Sequence, residues 1–138
     1  MTIPKSLHYC WFGRKEVPIL GWRNEEYITQ SLSQNDVLVI PSRWEGFGLV
    51  CLEAMRSKKM VLASDAGALP EIVIDKETGI TFKSESVEAL SSALMQLTAM
   101  STDSIHQMGE AGRKRFETYF NYNDMLKKLK QVYLEVSH

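Results

Sequence analysis

Val37-Leu38-Val39-Ile40-Pro41-Ser42-Arg43-Trp44-Glu45-Gly46-Phe47-Gly48-Leu49 is the stretch on which the reading of this chain turns. Its first four residues are aliphatic and three are β-branched, the character of a strand covered on both faces in a parallel sheet. Pro41 has no N–H to give to a ladder, so the strand ends there. Gly46 and Gly48 shape a tight loop, after which Leu49, Leu52 and Met55 recur at helical spacing. In open α/β sheets, ligands bind beyond the carboxyl ends of the strands, which is where this loop falls.

Outward from that unit, short apolar runs alternate with helical patterns. The runs at residues 7–12, 19–22, Met60–Ser64 and Gly79–Phe82 are the other candidate strands. Asn24 is placed to cap a helix reaching Gln34, with Tyr27, Ile28 and Leu32 on one face. Ser84 or Ser86 caps a further helix with Val87, Leu90, Leu94 and Leu97 as its buried stripe. The C-terminal third is helical, broken near residues 120–123, and its last helix sets Met125, Leu129, Val132 and Val136 in register. The expected fold is α/β and Rossmann-like, a mostly parallel sheet flanked by helices.

The loop also carries the chemistry. Glycines let backbone approach a ligand, and the free N–H groups of a helix start, with its dipole, favour phosphate. Glu45 on the loop and Glu53 in the helix add two carboxylates, which suit hydroxyl groups, so phosphate and hydroxyl together point to a nucleotide sugar. Ser42 either faces the crevice or caps the turn. Trp44 and Phe47 are expected to cover the edge of the core, and Tyr9, Trp11 and Trp22 to pack. Glu71 is expected to cap backbone, and the stretch 113–115 to be a solvated helix face. His8, His106 and His138 are scattered without Asp or Cys partners at ligand spacing, so no metal or cofactor is implied.

Composition excludes several classes. The 138 residues are 44% hydrophobic and 24% charged, and 16 basic against 17 acidic residues leave a net charge of −1. That is one ordinary globular domain without the footprint of a nucleic-acid binder. No apolar run approaches the roughly 20 residues of a membrane span, and the N-terminus is too polar for a secretory signal. Cys10 and Cys51 lack metal spacing. The expected location is cytoplasmic, peripheral at the inner membrane face.

Residues 41–55 (PSRWEGFGLVCLEAM), 61–73 (VLASDAGALPEIV) and 77–82 (ETGITF) resemble the C-terminal, donor-binding domain of the family 4 retaining glycosyltransferases, whose signature is Glu, seven residues, Glu. The resemblance runs from about residue 19 (ILGWRNEEYI) to the C-terminus. It implies half of a GT-B fold and transfer of a hexose from a UDP- or GDP-sugar in polysaccharide or lipopolysaccharide synthesis. Glu45 becomes the catalytic-site carboxylate on the donor sugar. Ser42, Gly46, Phe47, Gly48 and Leu49 line the sugar and diphosphate, and Glu53 takes the ribose hydroxyls. Lys58 and Met60 stand where the family has Gly and Pro. Ala68 replaces a Gly, and its methyl would narrow the pocket if that backbone needs positive φ. Residues 3–18 (IPKSLHYCWFGRKEVP) instead resemble the start of the family 32 type sugar transferases. The expected organisation is therefore 1–18 from another transferase type, followed by 19–138 as a truncated donor domain.

That truncation would remove an Arg and a Lys that neutralise the leaving diphosphate, for which Arg14 and Lys15 are candidate replacements. Stand-alone catalysis is not expected. Strand 7–12 is expected to insert in place of lost central strands, or else two chains pair sheet edges as a homo-oligomer. The other functional readings are a donor-binding subunit served by a separate acceptor domain, and an inert folded remnant of a recombined gene.

Overall fold

The structure, a computed structural model, describes residues 20–136 and the backbone of residues 9–12 and 15–18. The chain divides into two compact units, Met1–Ser31 and Leu32–His138.

In the first unit β1 (Tyr9–Phe12) pairs antiparallel with β2 (Lys15–Pro18), Tyr9 opposite Pro18 and Phe12 opposite Lys15. Two residues separate the strands, the commonest hairpin length. The candidate strand 7–12 thus finds its partner locally, not as a replacement strand in the parallel sheet. Residues 7, 8 and 19, and the side chains of Tyr9, Trp11, Arg14 and Lys15, lie outside the described residues. The expected strand at 19–22 does not form over its described part. Gly21 has φ +66° and Trp22 is 87% exposed, so the segment neither extends nor packs. Asn24 does cap α1 (Glu25–Gln34), its Oδ1 accepting from the Tyr27 N–H at 3.0 Å.

The second unit is a parallel sheet of β3 (Val37–Ile40), β4 (Met60–Ser64) and β5 (Gly79–Phe82) in the order β3-β4-β5. Val37 pairs with Met60 and Val61 with Gly79. The strand expected to be covered on both faces, β3, ends the sheet with Val39 37% exposed, whereas every residue of β4 is buried. A short run of aliphatic residues looks alike in a central and an edge strand; neighbours decide which is covered. Met60 and Leu62 of β4 join Ile80, Phe82 and Ala93 in a buried cluster, onto which Leu90, Leu94 and Leu97 pack.

The links are α2 (Leu49–Arg56) after β3, the short α3 (Leu69–Ile72) after β4, then α4 (Val87–Ala99), α5 (Thr102–Tyr119) and α6 (Tyr122–Val136). Ser86, not Ser84, caps α4, its Oγ accepting from the Ala89 N–H at 3.1 Å. Val87 leaves the expected stripe and is 79% exposed. Asn121 caps α6 at the expected break, its Oδ1 accepting from the Asp124 N–H. The apolar positions of α6 do not become core: the helix has no buried residue. Arg113 and Arg115 are not a solvated face. Arg113 donates to the Arg56 carbonyl, and Arg115 to the Ile72 and Glu71 carbonyls at 2.9 and 2.7 Å, so α5 is tied to the ends of α2 and α3.

Lys58, in the turn from α2 to β4, has φ +60°. A side chain costs about 1 kcal/mol there. Its exposed ion pair with Glu110, at 2.9 Å, contributes at most about 0.5 kcal/mol. Lys58→Gly is expected to raise the unfolding free energy by about 0.5 kcal/mol in urea titration; a lower midpoint would contradict this.

Candidate functional site

The loop of residues 41–48 leaves the carboxyl end of β3 and is held to β4 and to the segment after it. Ser64, fully buried at the end of β4, donates its hydroxyl to the Ser42 carbonyl at 2.6 Å. The Ala68 N–H donates to the Glu45 carbonyl at 3.2 Å. Between them, Gly67 has φ +53°, and a Cβ there would sit 1.8 Å from the Glu45 oxygen. Glycine is required at Gly67, where the two backbones touch. At Ala68 φ is −77°, ordinary helical backbone, so its methyl is accommodated without strain and the concern over that substitution falls away.

Gly48 begins α2 at φ +76°, a conformation that suits glycine, and a Cβ would meet the Ile72 Cδ1 at 2.7 Å. Its N–H donates to Glu45 Oε1 at 3.1 Å. The Glu45 carboxylate thus occupies the place that a helix N-terminus offers to an anion. Of the residues assigned to sugar and diphosphate by resemblance, Gly48 thus has its N–H engaged by the protein's own carboxylate. Glu53, half-buried, stands one turn into α2.

Trp44 and Phe47 were expected at the edge of the core and are 81% and 65% exposed. A Cβ at Gly46 would lie 3.2 Å from the Trp44 ring, so the indole sits over that glycine. Phe47 and Gly46 line a cavity of about 270 Å³ with Leu52, Ala68, Glu71 and Phe120. Glu71 makes no side-chain cap on α3 and faces this cavity, a placement sequence reasoning set aside. Its signal was its position in the segment that follows a strand end. Arg43, the one cation of the loop, lines a smaller cavity of about 140 Å³ with Pro41, Phe82, Glu85 and Ser86.

Asp65, past β4, accepts from the Ser84 N–H at 2.7 Å and pairs with Lys83 at 3.1 Å; these bonds lower its pKa to about 2. His106 reaches Asp36 at 3.4 Å, a pairing hidden by seventy residues of sequence. Among the described residues no three His, Cys, Asp or Glu side chains gather as metal ligands. Burial, then the charge of Glu45, pushes the Cys51 thiol up to about 12. In a Cys10→Ser chain, alkylation of Cys51 near pH 8 is expected to run about a thousandfold slower than that of an unfolded peptide thiol. Rapid labelling of the folded chain would contradict that burial.

A three-stranded parallel sheet with helices and a strand-end loop of this construction matches part of the architecture of GT-B glycosyltransferases. The chain superposes on the sucrose-phosphate synthase of Thermosynechococcus elongatus with a TM-score of 0.76 and 32% identity, covering 85% of this chain and 29% of that one. With the HepE protein of Anabaena, solved in complex with UDP and glucose, the TM-score is 0.77 at 21% identity, over 88% of this chain and 33% of that one. The alpha-maltose-1-phosphate synthase of Mycolicibacterium smegmatis is 36% identical over 116 residues, 80% of this chain and 30% of its own length. The profile of the family described as "Glycosyl transferases group 1" matches residues 12–115, and the chain belongs to that family. It spans about a third of the length of the curated relatives it matches.

Proposed function

We propose that residues 41–53 hold the donor of a retaining hexosyltransferase, a UDP- or GDP-sugar used in polysaccharide or lipopolysaccharide synthesis. The observation that carries this reading is the Glu45 carboxylate on the Gly48 N–H, at a helix start whose loop is pinned to β4. It is a site built for an anion with a carboxylate beside it. A donor phosphate would take over the N–H groups of Phe47, Gly48 and Leu49, releasing Glu45 to accept from sugar hydroxyls. Ser42 and Gly46 shape the wall, and Glu53 accepts from the ribose diol, whose two hydroxyls suit one carboxylate. The UDP and glucose bound by HepE, of like fold, support that ligand class.

Transfer by this chain alone is not part of the proposal. Cations that stabilise charge on the leaving phosphate are worth factors of about a hundred or more in rate, and Arg43 is the one such group on the loop. The portion in hand binds the donor and works with an acceptor domain. Residues 1–18 are a segment of another transferase type joined to the donor-binding domain, and the chain works in the cytoplasm, peripheral to a membrane.

The test is a titration of the purified chain with UDP, GDP and their glucose and mannose conjugates, followed by amide NMR. Shifts at Phe47, Gly48 and Leu49 are expected at millimolar ligand, lost in Glu53→Ala and altered in pattern in Glu45→Ala. A spectrum indifferent to every nucleotide would refute donor binding and leave the inert-remnant reading standing.

A further inference from the structure

The cavity of about 270 Å³ beside the donor loop has no part in the donor reading. Gly46 and Phe47 bound it from the loop, Leu52 from α2, Ala68 and Glu71 from the α3 segment, and Phe120 from the end of α5. Of the residues assigned to the donor, Ser42, Glu45, Gly48, Leu49 and Glu53 do not line it. It is a separate recess that adjoins the donor site at Gly46 and Phe47.

The chemistry of its wall narrows the occupant. No Lys or Arg lines it, and its one charged group is the Glu71 carboxylate, so a phosphate is repelled. The Glu71 backbone is engaged, its N–H by the Ala68 carbonyl and its carbonyl by Arg115, whereas its carboxylate has no partner among the described residues. The rest of the wall is apolar and includes the Phe47 and Phe120 rings, and the exposed Trp44 indole sits over Gly46 at the rim. Aromatic faces carry partial negative charge and attract C–H groups, while a carboxylate accepts from hydroxyls. A pyranose ring offers both, a face of C–H groups and an edge of hydroxyls. The volume is at the low end for small-ligand sites, which suits one ring better than a nucleotide sugar. A nucleobase fits less well, because the ribose beside it belongs to Glu53, outside this cavity.

We propose that the cavity takes one pyranose ring of the acceptor glycan, stacked on Phe47 with its hydroxyls on Glu71. The inference rests on the donor reading, since a bound donor is what makes the neighbouring ring an acceptor. An acceptor domain holds the remainder of the glycan. Arg115, bonded to the carbonyls of Glu71 and Ile72, fixes the backbone that carries the carboxylate before sugar arrives.

The experiment is amide NMR of the purified full chain without nucleotide, titrated with methyl α-D-glucopyranoside and methyl α-D-mannopyranoside, with glycerol as a polyol that has no ring. Shifts at Ala68, Glu71 and Phe120 are expected at millimolar glycoside and not with glycerol at the same concentration. Glu71→Gln should weaken binding about tenfold. Phe47→Leu, which keeps the backbone N–H and removes the ring, should weaken it about fivefold. Both side chains are exposed, so both variants should keep the parent's thermal midpoint. Silence of those amides to both glycosides, equal shifts with glycerol, or binding indifferent to both variants would overturn the proposal. So would shifts there with UDP-glucose or GDP-mannose but with neither free glycoside, which would put the donor's own ring in the cavity. Donor binding is read at Gly48 and Leu49 with UDP and GDP, which carry no sugar beyond ribose, so the two proposals fail separately.

Discussion

Gly67→Ala is expected to lower the unfolding free energy by about 4 kcal/mol, enough to leave a domain of ordinary stability largely unfolded. Two costs combine at that position. The backbone has φ +53°, where a β-carbon costs about 1 to 2 kcal/mol. The added methyl would also lie 1.8 Å from the Glu45 carbonyl oxygen, which has no flexible side chain that can yield. Relief requires the loop of residues 41–48 to move off the segment after β4, breaking the Ala68 to Glu45 hydrogen bond, and forced overpacking of that kind costs about 1 to 3 kcal/mol. The control is the neighbour. Ala68→Gly, at φ −77°, should cost less than about 1 kcal/mol. Urea unfolding of the two variants decides the matter, and equal midpoints would show that the contact between Gly67 and Glu45 is not rigid.

Arg115→Met is expected to cost about 3 kcal/mol. The guanidinium donates to two successive carbonyls, those of Glu71 and Ile72, at the end of α3, and lies 5.0 Å from the centre of the Tyr119 ring. Hydrogen bonds from a charged donor contribute about 1.5 to 3 kcal/mol each, and the ring contact adds about 0.5 to 1 kcal/mol. Partial exposure and the apolar stem kept by methionine reduce that sum. α3 has only four residues and cannot hold its own geometry, so its placement, and with it that of Glu71 and of Ile72 against Gly48, depends on this clasp. Arg115→Lys should recover less than half of the loss, because one ammonium does not span both carbonyls as the planar fork does. A loss below about 0.5 kcal/mol for Arg115→Met would reduce the clasp to a surface contact.

Local signals carried most of the regular elements well. The strands at Val37–Ile40, Met60–Ser64 and Gly79–Phe82, the caps at Asn24 and Ser86, and the break before Asn121 depend on residues within a few positions of one another. Propensity and capping act over that range. Reading failed where the outcome depends on what stands opposite. The run at 19–22 has strand composition but includes Gly21 in left-handed backbone, and Trp44 and Phe47 are aromatic without being covered. Arg115 sits 43 and 44 positions from the carbonyls it bonds, and no spacing rule connects them.

The loop of residues 41–48 shows the division most clearly. Its place after a strand and before a helix, its glycines and its two glutamates were legible from residue order, because turn chemistry and helix starts are local properties of the chain. The recurrence of Glu, seven residues, Glu was enough to indicate the family. Folding supplied the facts that make a site of it. Ser64 holds the loop from beneath, Gly67 touches the backbone of Glu45, and Glu71 arrives at the cavity of Phe47 from a different crossover. Those contacts join segments some twenty residues apart through the parallel pairing of β3 with β4. A pairing of that kind has no local signature, since any exposed strand edge offers the same hydrogen bonds until packing selects its neighbour.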